Sequence, residues 1–575
     1  MAALLGCADS TSPNPNTNSH LSDLSTMNVG DVRVITLAQA TNGLTIPSTL
    51  SSAQYLIVAA NVRGDAGSVP NYHVSANQQL ATPTLENSLS VPSPFAHPIY
   101  SRRGGSFGAQ FEAKLRSYER QHLYPAAYRA RKVSPTMSPL LRADHVPYHT
   151  VPTVGQQYQF NVPGSGADPC SNFSTVTATV QSVSNHAIIV VDTTAHNNGF
   201  TTATYDSVAN DFDTWIYPTE SGYFGPPTDV DSNGHVFILF TPQVNLATPA
   251  GQANTQGYVG GFTFIGDFFP ATSETSGGCP ESNQGEIFYL MVPDPTGQFG
   301  NVFSAGLVRQ QTSVTMAHEL QHAINYGNRL VNNAFPNGFE SAWLDEALSS
   351  LAEDAVGRAK LGDPDLQKFT LDTILHMDAA TYNTFFSENF GRLQIYVLRP
   401  DTVGAIVSDT REEQDLAAFG AGWAFLRYTV DWFSNNAPRT LTAALVAGPD
   451  TGIANLTQHT GVPLDTLLAH WLVTLYTDGQ NIPGLPAQYN YRSYSMRDIV
   501  SDLTCSGPGC NGLLSYLPVT AVGDGTTSVT IGIPSSSADY FLTSKVASGT
   551  RTFTIANSGA ATFDPYIRLY VVRVQ

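Results

Sequence analysis

The stretch that most constrains this chain is the pentapeptide His318-Glu319-Leu320-Gln321-His322. Residues four positions apart lie one above the other on the same face of an α-helix, so His318 and His322 can hold one metal ion from one side. Glu319 lies beside the first histidine and can reach a water molecule on that ion. The alternative interpretation is a polar helix face that happens to carry two histidines. The helix is predicted to start near Val302 or Thr312 and to end by Gly327.

A second predicted helix, over about 339–356, carries Trp343-Leu344-Asp345-Glu346-Ala347. Catalytic zinc sites use three protein ligands and leave one position for water. Glu346 follows His322 by 24 residues, which is enough for a short loop and a returning helix, so Glu346 is the predicted third ligand. Glu353 lies two turns further along and can hydrogen-bond a ligand histidine. The alternative for both residues is a solvated helix carboxylate.

The two blocks together resemble the gluzincin class of zinc metallopeptidases, which combine a His-Glu-x-x-His helix with a downstream Glu. Within that class they are most similar to the hyicolysin-like secreted bacterial peptidases. The resemblance implies an α+β fold with a thermolysin-like zincin catalytic domain. It also implies one catalytic Zn²⁺ held by His318, His322 and Glu346, with Glu319 as general base in the endopeptidase hydrolysis of protein or peptide substrates. The motif-bearing likeness covers about 300–360, and a weaker one covers about 150–480.

One position departs from that pattern. Gluzincins often stabilise the oxyanion with a Tyr or His, and similar helices carry a Tyr three residues before a Gly. Phe419 holds that place here, and Phe cannot donate a hydrogen bond. The sequence does not rank the possible substitutes Tyr382, Tyr396, Tyr428, His376 and His459. Two alternatives therefore stay open: a catalytically weak or inactive surface-binding lipoprotein with the metallopeptidase fold, and an exopeptidase.

The length of 575 residues predicts several domains, and the low charged content of 13% is typical of β-rich extracytoplasmic proteins. The two outer domains are expected to be β-sandwich-like. The predicted division is a lipoprotein-like tail and tether at 1–26, an N-terminal β domain at 27–100, a basic helix and linker at 101–149, the β-rich half of the catalytic domain at 150–300, its helical half with the zinc site at 301–500, and a C-terminal β domain at 510–575.

The segment 101–149 has an unusual charge. Nine of the 27 Lys and Arg residues fall within 101–142, where only Glu112 and Glu119 oppose them. Residues 111–123 are predicted to form an amphipathic helix, followed by an extended stretch that contains several prolines. The favoured interpretation is a basic linker lying on an acidic catalytic domain. The alternative is a pro-segment junction, cut near Arg131-Lys132.

Charge and cysteines indicate the compartment. A net charge of −19 argues against nucleic acid as a partner, because phosphate binding needs a basic face. Leu4-Leu5-Gly6-Cys7 resembles a bacterial lipobox, although only six residues precede Cys7. We expect an extracytoplasmic protein, secreted or lipid-anchored at the bacterial cell surface, with membrane contact only through a lipid on Cys7. The other four cysteines allow two disulfides, a local Cys505–Cys510 pair and a Cys170–Cys279 pair.

Two further features precede the His-Glu-x-x-His helix. Asp229-Val230-Asp231-Ser232-Asn233-Gly234 is the first half of a calcium loop, but Phe240 at the twelfth position excludes an EF-hand. A solitary Ca²⁺ site near Asp229, Asp231 and Asn233 is one interpretation, and a plain Asn-Gly hairpin turn is the other. The strand predicted at 286–292 suits the edge strand that pairs with an extended substrate in peptidases of this type.

Overall fold

Most of the chain is described by a computed structural model, and the statements below concern those residues. They are residues 22–46, 53–65, 71–76, 84–87, 107–133, 150–164, 168–195, 199–333, 335–362, 365–401, 403–406, 416–503, 515–522, 528–543, 551–557 and 564–575. The fold mixes helices and sheets, as the α+β prediction requires. Within these residues, no helix combines the length and apolar character needed to span a bilayer.

The N-terminal part contributes five strands and two helices. They are β1 (Val32–Thr36), β2 (Leu44–Ile46), β3 (Tyr55–Asn61), β4 (Asn71–Ala76), β5 (Thr84–Asn87), α1 (Phe107–Tyr118) and α2 (Tyr124–Val133). A π-helical turn, Glu119–Leu123, joins α1 to α2. The predicted helix is confirmed, but the extended stretch expected directly after it is wrong as far as Val133. The π-turn ends two residues before Pro125, whose missing N–H and ring would break an uninterrupted α-helix.

A six-stranded mixed sheet forms the β-rich half of the central region. Its strands are β6 (Gln157–Pro163), β7 (Phe173–Val183), β8 (Ala187–Asp192), β9 (Val236–Phe240), β10 (Gly261–Thr263) and β11 (Ile287–Leu290), in the order β10-β11-β9-β8-β7-β6. Strands β8, β9 and β11 run parallel, and the remaining pairs are antiparallel. Four short helices accompany the sheet: α3 (Thr202–Asp211), α4 (Tyr217–Phe224), α5 (Pro242–Leu246) and α6 (Ala253–Gln256).

The position of β11 corrects one expectation. The strand predicted at 286–292 exists, but β11 lies between β10 and β9 and is not an edge strand. The edge beside it is β10, only three residues long and beginning at Gly261. A strand this short, following a glycine-containing segment, has too little apolar alternation to be recognised from sequence.

The helical half contains nine helices among the described residues. They are α7 (Ala305–Tyr326), α8 (Ala342–Lys360), α9 (Leu371–Thr381), α10 (Ser387–Val397), α11 (Leu416–Phe433), α12 (Pro438–Ala447), α13 (Gly452–Thr460), α14 (Leu464–Thr477) and α15 (Met496–Asp502). The Ser304 hydroxyl caps α7 by accepting a hydrogen bond from the Leu307 N–H. From Val314 to Tyr326 nearly every residue of α7 is buried, because sheet and helices surround this segment.

The C-terminal part adds β12 (Ser515–Val522), β13 (Ser528–Gly532), β14 (Ser537–Thr543), β15 (Arg551–Asn557) and β16 (Ile567–Arg573). These strands pair with those of the N-terminal part in two sheets, β1-β16-β3-β14-β12-β5 and β13-β4-β15-β2. The expectation of separate β domains at 27–100 and 510–575 is therefore wrong for the described residues. Both ends of the chain build one shared β unit.

Strand β3 gives the physical reason for this arrangement. All seven of its residues are buried, so β3 needs a hydrogen-bonded neighbour on each side and a packing partner on each face. Its neighbours are β16 and β14. Tyr55, Ile57 and Ala59 belong to the core shared by the two sheets, whereas Leu56, Val58 and Ala60 belong to the core of the central region. A continuous apolar run is typical of such a doubly covered strand.

The predicted Cys170–Cys279 disulfide is confirmed. It joins residues 109 positions apart and ties the turn before β7 to the segment before β11. The predicted Cys505–Cys510 pair and the proposed lipidation site Cys7 lie outside the described residues.

Candidate active site

Helices α7 and α8 bring together the three side chains that the sequence predicts as metal ligands. The Nε2 atoms of His318 and His322 lie 3.2 Å apart. The Glu346 carboxylate faces both rings, with Oε2 3.5 Å from Nε2 of His318 and Oε1 3.8 Å from Nε2 of His322. The three donor atoms therefore converge on one point.

The donor set and its spacing fit a zinc ion. Zinc accepts imidazole nitrogens and carboxylate oxygens, and at bond lengths near 2.05 Å the donors of a tetrahedral site lie about 3.3 Å apart. The separations of 3.2, 3.5 and 3.8 Å are close to that value. Two imidazoles and one carboxylate also leave a fourth position open, as catalytic zinc sites do.

A hydrogen-bonded carboxylate holds the ring of His318. The Nδ1 atom of His318 lies 2.8 Å from Oε1 of Glu353, which confirms the predicted contact, and Oε2 of Glu353 accepts a hydrogen bond from Nδ2 of Asn389 at 2.9 Å. Burial alone would lower the pKa of His318, but contact with Glu346 and Glu353 outweighs burial and raises the pKa above its ordinary value. The bond at Nδ1 directs Nε2 toward Glu346.

Asp345 plays the corresponding part for His322. Its Oδ2 lies 3.2 Å from Nδ1 of His322 and also contacts the Tyr326 hydroxyl, while Oδ1 accepts a hydrogen bond from Nδ2 of Asn325 at 2.8 Å. Burial alone would raise the pKa of Asp345, but His322 and these donors hold the pKa well below its usual range. Asp345 is thus an ionised carboxylate that fixes the second ring.

Glu319, the predicted general base, is almost fully buried and lies against the sheet edge. Its Oε2 accepts a hydrogen bond from the Thr263 N–H at 2.8 Å. One bond therefore joins the candidate base to β10, the edge strand. An extended peptide added to this edge would pass beside Glu319.

His318, Glu319, Glu346 and Glu353 line an open cleft of about 860 Å³ between the sheet edge and the helices. The sheet side contributes Tyr258, Gly260 and Gly261, and the helical side contributes Thr315, Arg392 and Phe419. Gly261 has no room for a side chain, because an added Cβ would lie 2.5 Å from Leu290 Cδ2 and 2.7 Å from the Tyr289 carbonyl oxygen. Glycine at this position thus lets β10 pack closely against β11.

Phe419 does face this cleft, as the resemblance predicts for the position that usually holds Tyr. The five substitutes considered from sequence are not among the described residues that line it. Tyr428 donates its hydroxyl to the Gln488 carbonyl at 2.6 Å, and Tyr396 stacks on Trp471 in the core. His376 lies in solvent beside Asp372.

Sequence reasoning missed Arg392, because it is one of many arginines and carries no motif. It is the one Arg or Lys among the described residues that line this cleft. Its guanidinium lies 5.7 Å from the centre of the Phe419 ring and pairs with Glu388 four residues earlier. The resemblance to gluzincin helices, which carry a Tyr at this place, drew attention to Phe419. Nothing in the sequence indicated which cation lies beside the Phe419 ring.

Sequence reasoning also missed helix α1 as part of the site. Gly108, Ala109 and Glu112 of α1 line the cleft, and Oε1 of Glu112 lies 3.9 Å from Nε2 of His322. The one sequence signal was that Glu112 and Glu119 stand alone in a strongly basic stretch. An acidic residue that stands alone in a basic stretch indicates an ion pair with a specific cation more than a side chain that faces solvent.

The predicted calcium loop also takes part in a carboxylate cluster, but the third carboxylate of this cluster comes from outside the loop. Asp229 and Asp231 lie together with Glu286, the residue directly before β11. Asn233 stays a predicted ligand beside this group: its Nδ2 donates to Oδ2 of Asp231 at 2.6 Å, and its Oδ1 accepts from the His235 N–H. Glu286 is distant in sequence, so the loop pattern could not reveal it.

Comparison with known proteins gives one informative similarity. Over 148 residues the chain is 30% identical to the neutral metalloprotease ShpI of Staphylococcus hyicus. The aligned part covers 26% of this chain and 30% of that relative. No protein-family model matches the chain. The similarity supports a relationship of this part of the chain to a metallopeptidase.

Proposed function

We propose that this protein is a zinc-dependent extracytoplasmic endopeptidase. The observation that carries the proposal is the convergence of His318, His322 and Glu346, at 3.2 to 3.8 Å, beside the buried carboxylate of Glu319. The similarity to a neutral metalloprotease supports the same class of reaction. The gluzincin set of roles, with three ligands and a glutamate base, accounts for each of these four residues.

The roles of the chain's own groups follow from their positions. A bound Zn²⁺ would polarise the scissile carbonyl and make a water molecule more acidic. Glu319 accepts the proton of the attacking water and later delivers it to the leaving amine. Glu353 and Asp345 keep the two imidazoles oriented, which fixes where a carbonyl can approach. The β10 edge holds an extended substrate beside Glu319.

Arg392 takes the part in oxyanion stabilisation that Phe419 cannot perform. The guanidinium carries a permanent charge and several N–H donors, and it lies over the ring that replaces the usual Tyr. Its pairing with Glu388, also in the cleft wall, keeps it at this position. A positively charged donor in a partly buried cleft stabilises a developing negative oxygen better than a neutral hydroxyl does.

An extracytoplasmic location agrees with the chemistry of the chain. The Cys170–Cys279 disulfide persists in oxidising compartments, and the low charged content is typical of exported proteins. Anchoring through a lipid on Cys7 remains part of this proposal. Mass spectrometry of protein purified from the native membrane fraction would detect the lipid, and an unmodified Cys7 thiol would refute the anchor.

The test of the proposed function combines metal analysis with cleavage of peptides blocked at both ends. We expect one zinc per chain, internal cleavage that a chelator abolishes, and a loss of about 10²–10⁴-fold in Glu319→Gln with zinc retained. Cleavage only from a free terminus would favour the exopeptidase. Full zinc occupancy with no cleavage by any form of the protein would favour the inactive surface-binding alternative, and absence of zinc would refute the site.

A further inference from the structure

Helix α1 forms part of the wall of the cleft that a substrate would enter. Its first turns contribute Gly108, Ala109 and Glu112 to the lining of the cleft, together with His318 and Glu346. Glu112 can share a metal ion with Glu319 and His322, since one donor atom of each lies within 4.8 Å of the others. The helix thus brings a carboxylate oxygen to 3.9 Å from Nε2 of His322, one of the predicted ligands.

Arg116, one turn after Glu112, ties α1 to the candidate base. Its guanidinium lies 2.5 Å from Oε1 of Glu112, 2.8 Å from Oε2 of Glu119 and 3.6 Å from Oε2 of Glu319. Only 2% of the Arg116 side chain is exposed, so this charge is balanced entirely by carboxylates.

The same helix covers the sheet edge. Phe111 packs on Phe262 of β10 with ring centres 4.8 Å apart. The π-turn that follows α1 reaches the residues just beyond β10, where Oε1 of the buried Glu119 accepts a hydrogen bond from the Ile265 N–H at 2.9 Å. The Ile265 N–H is therefore not available to an added peptide strand while Glu119 remains in place.

We propose that the segment 107–123 is a built-in inhibitor of the active site, with Glu112 as the group that meets the metal and Arg116 as the group that engages Glu319. This inference rests on the proposed function and adds its regulation. The segment must leave the cleft before substrate binds. The basic stretch first interpreted as a linker on the acidic domain then has a definite target, the carboxylates of the catalytic centre.

The test uses the zinc-loaded full chain and two variants of α1. Phe111→Ala removes the ring packed on β10, and Arg116→Ala removes the link between Glu112 and Glu319. Lys114→Ala is the matched control, because Lys114 is exposed on the same helix. The first measurement is the rate at which a chelator removes zinc. Each variant loses a buried ring or ion contact, which should shift the equilibrium toward the state with α1 away from the catalytic centre by about tenfold or more. The rate of zinc removal should increase by the same factor.

Two further measurements complete the test. Cleavage of an end-blocked peptide should increase in Phe111→Ala and Arg116→Ala but not in Lys114→Ala. Circular dichroism shows whether each variant is folded. With cobalt in place of zinc, Glu112→Gln should change the visible absorption spectrum, since a ligand is lost. Bound zinc with unchanged removal rates and an unchanged spectrum would overturn the inhibitor and leave the peptidase proposal intact. Absence of bound zinc would overturn both.

A second inference rests on an independent cluster. Asp229, Asp231 and Glu286 present three carboxylate oxygens within 4.8 Å of one another. The Glu286 side chain is 1% exposed, and its Oε1 accepts a hydrogen bond from the Val230 N–H at 2.9 Å. Its Oε2 has no hydrogen-bond partner among the described residues. A buried carboxylate oxygen without a hydrogen-bond partner, beside two further acids, is an arrangement that a bound cation would stabilise.

The geometry points to a calcium site formed by Asp229, Asp231 and Glu286. Calcium binds carboxylate oxygens at 2.3–2.6 Å, so three oxygens within 4.8 Å of one another can bind one ion. The site joins the loop before β9 to the residue before β11, and these strands are parallel neighbours. Its expected role is to stabilise the sheet next to the cleft.

Thermal unfolding in calcium-depleted buffer, with zinc retained, tests this site. Added Ca²⁺ should raise the melting temperature of the native protein by several degrees. Glu286→Gln should melt higher than the native protein without Ca²⁺, because it removes a buried negative charge, and should lose the response to Ca²⁺. Asp372→Asn removes an equal but exposed charge and should respond normally. A Glu286→Gln protein that still responds, or a native protein that does not, would overturn the site.

Discussion

The contact between Glu353 and His318 gives a prediction whose size can be derived from the geometry. Both oxygens of Glu353 accept hydrogen bonds, one at His318 Nδ1 and one at Asn389 Nδ2. In Glu353→Gln one of the two oxygens becomes an NH₂ group, so the side chain can accept from only one of these two donors. Either the His318 ring loses its orienting bond or the buried Asn389 amide loses its acceptor.

The expected cost follows from these contacts. Loss of a partner that orients a metal-ligating histidine lowers metal affinity by about 10–100-fold, which corresponds to about 1.4–2.7 kcal/mol. Zinc affinity of the full chain can be measured by competition with a chromogenic chelator. Glu353→Asp is the companion variant, because it keeps the charge but shortens the reach to His318. Asp372→Asn serves as the exposed control.

Two results would refute this reasoning. If Glu353→Gln binds zinc as tightly as the native protein, the His318–Glu353 bond does not orient a ligand. If both variants lose affinity but also lose their fold, judged by circular dichroism and melting temperature, Glu353 stabilises the core and does not act through His318. Loss of zinc affinity with an unchanged melting temperature of the zinc-free protein would support the positioning role.

Three more outcomes are expected. Arg392→Gln should lower kcat about 10²-fold with little change in KM. Adding Phe419→Tyr to the Arg392→Gln variant should restore part of the lost kcat. An unchanged kcat in Arg392→Gln would exclude Arg392 from the reaction. Replacing Cys170 and Cys279 with Ser should lower the free energy of unfolding by about 2–5 kcal/mol in denaturant titrations, because a large loop is released, and an unchanged midpoint would contradict this. Burial raises the pKa of Asp539 to about 7, so ionising it in the folded state costs stability as pH rises from about 4 to 7. Asp539→Asn should therefore melt above the native protein near pH 8 but not near pH 4, and an equal difference at both would refute the assignment.

The central part of the site could be predicted because its determinants are local. The histidine pair depends only on the period of one helix, and Glu346 depends on a second helix that returns after a short loop. Glu353 was predictable as a partner for the same reason, since its spacing from Glu346 places it on the same face. Periodicity also located the strand at 286–292 and the long helices α7 and α8.

The features that could not be predicted are contacts between distant segments. The pairing of β3 with β14 and β16 joins residues near 58 to residues near 540 and 570, and no local pattern records such a partner. Glu286 joins Asp229 and Asp231 from another strand. The basic stretch was predicted to form a helix, but its docking depends on Glu112, Arg116 and Glu119 meeting Glu319 and the β10 edge.

The shared β unit determines when the protein can fold. Strands β1 and β3 pair with β16 and β14, which emerge from the ribosome more than four hundred residues later. The β3 strand, which is fully buried in the folded protein, must therefore remain without its permanent neighbours during synthesis of the whole central region, which favours folding after the chain is complete. The same pairing means that a cut anywhere between β5 and β6 would leave the N-terminal fragment bound through its strands. Cleavage could thus free helix α1 from the cleft without separating the two ends of the protein.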